Sequence, residues 1–291
     1  MAYLQYKIQP NPFKGANVIL EWLKNRGIEK SRYTKYKSYI DKISSSLYLD
    51  LEYTFKESFK EATDAYQEFA QIAYIYKMFK DENSKEFNRK LKIVTSGKNF
   101  YVKQSQDQPR DYLYELLIAA RFKNSGFSIN FNENTDVIAS KDDIDVYIEC
   151  KRIKSSKRLE ENLKKACKQL ENITESTSQF KIVFIDIYNC VAEYLKDYPY
   201  SNVIEMKNEV DNILEKHFSE PNAKKIDGIL MEHVESILGV TFTINRVLWF
   251  KDEMNQLYPQ FYQDLKGVTA KNITPEKFYK FKTLLECIAS C

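Results

Sequence analysis

The sequence predicts a mixed α/β protein, in which a central mixed sheet is flanked by helices and follows a helical N-terminal region. The chain of 291 residues contains only 7 glycines and 7 prolines, which disfavours a turn-rich all-β fold. It is 43% hydrophobic, enough for a sizeable core. Apolar residues recur at helical spacing before about residue 80, and short apolar runs typical of strands begin near residue 127.

Three helices are predicted in the first part of the chain. They cover residues 13–27, 31–47 and about 54–80. In the third, aromatic and aliphatic residues recur three and four positions apart, from Phe55 to Tyr76. We interpret these rings as core packing rather than as a surface for stacking bases.

A change of composition indicates a domain boundary. Around residues 92–110 the helical pattern gives way to a stretch rich in Ser, Gly, Lys and Gln. We therefore predict a helical N-terminal region over residues 1–107, for substrate or partner binding, and a second domain over residues 108–291. Residues 1–100 hold 18 basic and 12 acidic residues, so the basic excess lies in the first region, which is compatible with phosphate binding there.

The second domain is predicted to follow the order α-β-β-β-α-β. The sequence favours a helix at Asp111 to Phe122 and three strands, the last two of which form a hairpin; a helix and a buried strand come next. Two further strands and a terminal helix complete the prediction. In chain order, the elements after the first helix are predicted at residues 127–131, 136–139, 144–153, 158–173, 180–188, 226–234, 240–250 and 275–288.

Several function classes have no support in the sequence. None of the five cysteines forms a CxxC pair, and only two histidines, His217 and His233, are present, which excludes sites built from several histidines. Neither GxGxxG nor GxxxxGKS/T occurs, so a glycine-rich phosphate loop is not expected. No window approaches 18 uninterrupted apolar residues and no apolar signal core is visible, so we expect a cytoplasmic protein without membrane contact.

The strand at residues 144–153 carries the acidic and basic residues of most interest. Its side chains alternate, so Asp145, Glu149 and Lys151 share one face of the sheet. A hairpin folded about residues 141–142 sets Asp136 opposite approximately residue 147, one pair from Glu149. Neighbouring carboxylates repel each other unless a cation lies between them, and a hard divalent metal suits such oxygen ligands.

A further acid lies in the preceding helix. Glu115 is surrounded by apolar residues on a helix that is apolar nearly all round. An unpaired carboxylate there costs roughly 2–7 kcal/mol, so it requires a cation, a donor or a proton. A salt bridge to a core-facing Lys or Arg is the alternative to a role in a metal site.

This arrangement resembles the PD-(D/E)XK nuclease superfamily, which has the restriction-endonuclease-like fold. The matching residues are Glu115 in the leading helix, Asp136 at the second strand and the triplet Glu149-Cys150-Lys151. The resemblance covers about residues 108–190 and includes the text ECKR, followed by a helix that ends in A-x-x-Q-L.

The resemblance implies a metal-dependent phosphodiesterase. Asp136 and Glu149, with the Cys150 carbonyl, would ligate Mg²⁺ or Mn²⁺, and Lys151 would orient and polarise the attacking water. Glu115 would be an auxiliary ligand, and Gln169 would contact the site or the substrate backbone.

Two points of the assignment stay open at this stage. Asp142, Asp143 and Asp145 compete with Asp136 for the hairpin acid, and Asp136 is favoured. The spacing of the triplet also occurs in Glu205-Met-Lys207 and Asp264-Leu-Lys266, but we expect those segments to lack a flanking apolar strand.

Basic residues follow the triplet and could track a nucleic-acid backbone. Eight basic and two acidic residues lie between Lys151 and Lys168. Those expected to bind nucleic acid are Arg152, Lys154, Lys157, Arg158 and Lys165.

The sequence therefore predicts a Mg²⁺-dependent nuclease, with DNA the favoured substrate and endonucleolytic cleavage the favoured mode. Restriction or antiviral defence is suggested by analogy alone, and a homodimer or a partner protein of a defence system is left open. One alternative is a non-catalytic nuclease-like subunit that binds nucleic acid or another protein. Another is a helical interaction protein in which the ECKR strand is coincidental.

Overall fold

The computed structural model of the chain describes residues 2–9, 15–29, 31–46, 56–98, 107–131, 135–173, 179–195, 199–219, 222–251, 253 and 257–289. Within them the fold is mixed α/β, with one mixed sheet between two layers of helices. The strands are β1 (Ala2–Gln9), β2 (Ser128–Asn130), β3 (Val137–Lys141), β4 (Ile144–Arg152), β5 (Gln179–Asp186), β6 (Gly239–Lys251) and β7 (Leu257–Val268). The helices are α1 (Ala16–Asn25), α2 (Arg32–Ser46), α3 (Lys56–Phe79), α4 (Lys85–Ser96), α5 (Gln108–Asn124), α6 (Leu159–Glu171), α7 (Tyr188–Val191), α8 (Val203–His217), α9 (Asn222–Glu232) and α10 (Pro275–Ala289).

The sheet runs in the order β1-β7-β6-β5-β4-β3-β2. Strands β4, β5 and β6 are parallel to one another, and the remaining pairs are antiparallel. The parallel centre is formed by apolar strands such as Ile182–Ile185, because both faces of those strands are covered by helices. The order α5-β2-β3-β4-α6-β5 is the one that the sequence predicts.

Two hydrophobic clusters lie on the two faces of the sheet. In the first, the helices α1, α2, α3, α4, α5 and α10 pack on side chains such as Val146 and Ile148 of β4. In the second, the helices α6, α7, α8 and α9 pack on the opposite face, which includes Val183 and Ile185 of β5. The helices that precede the predicted boundary therefore share their core with α5 and the sheet, while residues 99–106 of that boundary lie outside the described residues.

Buried polar groups are interleaved with the first cluster. The hydroxyls of Tyr114 on α5 and Thr243 on β6 are 2.9 Å apart. Nδ2 of Asn245 lies 3.4 Å from the same Thr243 oxygen, and Nε2 of Gln263 on β7 donates to Oδ1 of Asn245 at 3.1 Å. These contacts connect α5 to β6 and β7 beneath it.

One predicted strand is wrong. Residues 226–234 fall in the helix α9 (Asn222–Glu232) and the turn after it. The buried residues Ile226, Ile229 and Leu230 are spaced three and four apart, which is helical periodicity, and the helix presents them to α6. A glycine within the segment, Gly228, does not stop the helix.

Candidate active site

The hairpin of β3 and β4 brings Asp136 beside Glu149. Val137 pairs with Ile148, and the same register continued by one residue places Asp136 directly opposite Glu149. The predicted separation of one pair is wrong because the turn lies at Asp142 and Asp143, one residue later than expected. Asp142 has a φ of 53°, the left-handed conformation that two-residue hairpin turns require.

Asp136 is held by the backbone of β4. Its Oδ2 atom accepts a hydrogen bond of 2.7 Å from the Cys150 N–H, and its charge acts on the carboxyl group of Glu149 opposite it. Burial, followed by the negative charge of Asp136, raises the pKa of Glu149 to about 7. Two carboxylates placed this way repel each other, and a bound cation would offset that repulsion.

Lys151 supplies a positive charge to this pair. Its Nζ atom donates to Oε1 of Glu149 at 2.5 Å. Burial lowers the pKa of Lys151, but the charges of Glu149 and Asp136 outweigh that effect and raise it, so the ammonium group stays charged. The Lys151 side chain is 17% exposed whereas that of Glu149 is 2% exposed, so the solvent side of the cluster is formed by Lys151 and the half-buried Asp136.

Glu115 reaches the same cluster from α5 and is paired with a lysine. Nζ of Lys90 on α4 donates to Oε2 of Glu115 at 2.5 Å and to the backbone oxygen of Asp136 at 3.0 Å. Burial, and then the charges of Asp136 and Glu149, raise the pKa of Glu115, an effect that the Lys90 ammonium opposes. The salt bridge to a core-facing lysine, left open by the sequence, is the arrangement observed.

Lys90 is not among the residues predicted from the sequence. No helix is predicted over residues 85–91, and the helical pattern is predicted to break down from residue 92 onward. The signal was present, since Phe87, Leu91 and Val94 recur at helical spacing and Ser84 caps the helix through its hydroxyl. Lys90 lies beside this apolar stripe and is only 4% exposed.

Asp145, the rival hairpin acid, lies nearer the turn. It pairs with Ser140 on β3, and the Ser140 hydroxyl donates to its Oδ1 atom at 2.5 Å. The side chain that meets Glu149 is therefore that of Asp136. Asp142 and Asp143 are exposed turn residues.

The residues expected to bind nucleic acid fall into two groups. Lys157 and Arg158 in the short 3-10 turn before α6, and Lys165 on α6, are exposed, while Lys154 is half-buried. Gln169 is also exposed, and in the part of the chain that the structure describes it makes no hydrogen bond to the three carboxyl groups. Only the exposed side chains are available to a polyanion as they stand.

Arg152 differs from the other basic residues because its guanidinium is engaged internally. Its Nη1 atom donates to Asp111 on α5 at 3.2 Å, and its Nε atom to Asp186 on β5 at 3.4 Å. The side chain is 11% exposed. Arg152 thus ties α5 to the ends of β4 and β5.

The segment Asp264-Leu-Lys266 is an internal comparison for the triplet. Contrary to expectation it lies in a strand, β7, where Asp264 and Lys266 are both buried. Burial raises the pKa of Asp264 to about 7, and its Oδ2 atom has no hydrogen-bond partner. The spacing and strand context therefore occur twice, but of these two acids only Glu149 lies opposite another acid, since Asp264 pairs with Tyr6 and Ile244.

The groups around Asp136 that could bind a metal ion all do so through oxygen atoms. A strand residue directs its N–H and its C=O to the same neighbour. Since the Cys150 N–H meets Asp136, the Cys150 carbonyl faces the same edge. Among the described residues, no three His, Cys, Asp or Glu side chains are grouped so that they could hold a metal ion. Two carboxylates and a carbonyl, completed by water, are nevertheless a donor set that suits Mg²⁺.

Comparisons of this chain with protein-family models, with curated proteins and with solved structures gave no match. Of the helices described, none combines the length and the apolar character needed to cross a membrane.

Proposed function

We propose that this chain is a divalent-metal-dependent nuclease whose active site is formed by Asp136, Glu149 and Lys151. The observation that carries the proposal is the hairpin register that sets Asp136 opposite Glu149, with the Lys151 ammonium 2.5 Å from Glu149. A buried carboxyl group opposite a half-buried one has an electrostatic cost for the fold, and a bound cation relieves it. The resemblance to PD-(D/E)XK nucleases supports the same residues.

Asp136, Glu149 and the Cys150 carbonyl would hold Mg²⁺ or Mn²⁺. When bound, the ion lowers the pKa of a coordinated water and offsets negative charge on the phosphoryl oxygens. Lys151 holds a fixed ammonium group on the exposed side of the cluster, where it attracts the phosphate and positions the attacking water. The hydrogen bond from Cys150 keeps the Asp136 carboxylate aimed at that same edge.

The proposed substrate is DNA, cut internally. Exposed Lys157, Arg158 and Lys165 follow β4 in the chain and offer phosphate contacts without base recognition. A role in restriction or antiviral defence, with a second copy or a partner protein, is an extension of this proposal by analogy.

One observation favours a second candidate function, a nuclease-like subunit that binds nucleic acid without cutting it. Glu149 is only 2% exposed, and both it and Glu115 already accept a hydrogen bond from a lysine. A binding subunit needs no accessible metal ligands.

An assay on the 291-residue chain tests the proposal. Supercoiled plasmid, linear duplex, single-stranded DNA and RNA are incubated with Mg²⁺, with Mn²⁺ or with EDTA. We expect cleavage with either metal and none in EDTA. Binding of nucleic acid in a mobility-shift assay without cleavage would favour the second candidate.

Matched variants separate the site from contaminants and from general effects of substitution. Glu149→Gln and Lys151→Met should each lower the rate roughly 10²-fold or more, since the first removes a proposed metal ligand and the second removes a positive charge beside the phosphate. Asp264→Asn and Lys266→Met alter residues of the same spacing in a buried strand and should not abolish cleavage. Activity that persists in EDTA, or in both site variants, excludes the proposed site.

A further inference from the structure

Lys90 is enclosed more completely than a solvent-facing lysine. Its ammonium group meets Oε2 of Glu115 at 2.5 Å and the Asp136 carbonyl at 3.0 Å. The rings of Tyr112 and Phe131 lie 5.4 and 5.7 Å from Nζ, within the range of cation–π attraction. The charge is therefore fixed in place by two oxygen atoms and two rings.

The position of this ammonium matters because it lies on the Glu115 side of the carboxylate cluster. Lys151 lies on the other side, against Glu149. Three carboxylates against two ammonium groups leave one negative charge when all are ionised. One divalent cation turns that into one positive charge, which suits a phosphate, whereas two cations would leave a large uncompensated positive charge in a buried place.

Glu115 is also poorly placed to serve two cations at once. Its side chain is 11% exposed, and that of Lys90 is 5% exposed, so the pair is withdrawn from solvent. Separating a buried pair by removing one partner leaves the other charge unpaired, which is strongly unfavourable. An ion that took the Oε2 atom of Glu115 would have to displace the Lys90 ammonium from it.

We propose that Lys90 takes the place of a second metal ion, so that Glu115 is held by Lys90 and a single divalent ion is bound by Asp136 and Glu149. This inference rests on the proposed metal-dependent function. Lys90 is then a positioning residue, since it acts on the site through Glu115 and through the backbone of Asp136. The helical N-terminal part of the chain supplies it, and thereby contributes to the site.

The test is the number of Mn²⁺ ions bound per chain, measured by electron paramagnetic resonance on the 291-residue chain with the metal alone as probe. The wild type should bind about one ion. Glu115→Gln, a nearly isosteric change, should still bind about one ion, whereas Glu149→Gln should bind none. Lys90→Met should bind a second ion, because Glu115 is then free to act as a ligand, and Lys90→Met/Glu115→Gln should return to one.

Two ions on the wild type, loss of binding in Glu115→Gln, or an unchanged count in folded Lys90→Met would each overturn the inference. Circular dichroism establishes that each variant is folded. If Lys90→Met does not fold, the wild-type and Glu115→Gln counts still decide, since Glu115 as a ligand would make the second of them fall. Two ions together with metal-dependent cleavage would remove this inference alone, whereas a wild type that binds no Mn²⁺ would remove the proposed function as well.

Discussion

The backbone N–H of Cys150 donates a hydrogen bond of 2.7 Å to Oδ2 of Asp136, and thereby joins the start of one hairpin strand to the middle of the next. The bond uses the Oδ2 atom of a residue that the hairpin register sets opposite Glu149. A single side chain thus helps to close the hairpin and forms part of the candidate site, and the two roles can be separated by substitution.

Asp136→Asn and Asp136→Ala should differ in stability but not in metal response. Asn retains an oxygen that can accept from Cys150, while Ala leaves that N–H without an acceptor, so Ala should be less stable by about 1–2 kcal/mol. Both should lose the rise in melting temperature that Mn²⁺ gives the wild type. Thermal unfolding with and without Mn²⁺ measures both effects. The pair Asp145→Asn and Asp145→Ala is the control, and it should keep the Mn²⁺ response; a response retained by Asp136→Ala would contradict the assignment.

Asp264 should make the protein less stable as the pH rises. Its pKa is raised to about 7 in the folded state by burial, with Asp211 adding to the effect and Lys266 and Arg121 opposing it. Between its unfolded and folded pKa values the folded state holds more protons, so stability is lost as the pH rises through that window. Asp264→Asn should be more stable than wild type at pH 8, by on the order of 1–3 kcal/mol, and should gain less at pH 5. Urea unfolding at the two pH values measures the difference, and an equal gain at both would refute the assignment.

Glu68 should be among the costliest single charges to remove. It accepts from Nη2 of Arg32 at 2.7 Å and from Nε of Arg110 at 2.6 Å, and all three residues are buried. Glu68→Gln leaves two guanidinium groups without their shared counter-charge and should cost about 3–5 kcal/mol. Glu86→Gln breaks a more exposed pair with Arg89 and should change stability by less than about 1 kcal/mol. Chemical denaturation of the two variants measures both losses of stability. Equal losses would show that the buried cluster stabilises the fold no more than the exposed pair does.

Two glycines should respond in opposite directions to alanine. A Cβ at Gly239 on β6 would lie 2.7 Å from the Val268 carbonyl oxygen and 2.9 Å from the ring of Phe281. Gly239→Ala should therefore destabilise the protein by about 1–3 kcal/mol, since the nearest atom belongs to the backbone of the paired strand. Gly228 in α9 has open space around its Cβ position, and Gly228→Ala should stabilise by about 0.5–1 kcal/mol. Melting temperatures measure both, and a stabilised Gly239→Ala would show that the sheet can adapt there.

The central part of the fold could be predicted because its apolar residues follow simple periods. Strand β5 is a continuous apolar run, and α5 ends at the Asn124-Ser-Gly126 sequence that sequence reasoning identified. Strand β7 could not be found in this way, because Gln263, Asp264 and Lys266 are buried polar residues that conceal the strand pattern. Their burial depends on partners far along the chain, which local periodicity does not reveal.

The acidic residues of the candidate site could be predicted from the sequence, but the residues that they pair with could not. Alternation along β4 identified Glu149 and Lys151, and the hairpin identified Asp136 to within one residue of register. The position of the turn decides that register, and the turn depends on the left-handed conformation of Asp142. The neighbouring Asp143 is the same residue type and could adopt that conformation equally well, so the sequence does not decide between them. The helix that carries Lys90 is visible in the apolar spacing, but the pairing of Lys90 with Glu115 could not be predicted, because it spans 25 residues and joins separate helices.

The hydroxyl contact between Tyr114 and Thr243 has a consequence for the orientation of α5. Most side chains of this helix are apolar and buried, so hydrophobic packing alone would accept several rotations about its axis. A buried phenol that must find a partner excludes the others, since each of them would leave the hydroxyl without one. Tyr114 therefore fixes the rotation of α5 about its own axis. The residue next to it, Glu115, receives its place over the carboxylate cluster from a hydrogen bond that is not part of the site at all.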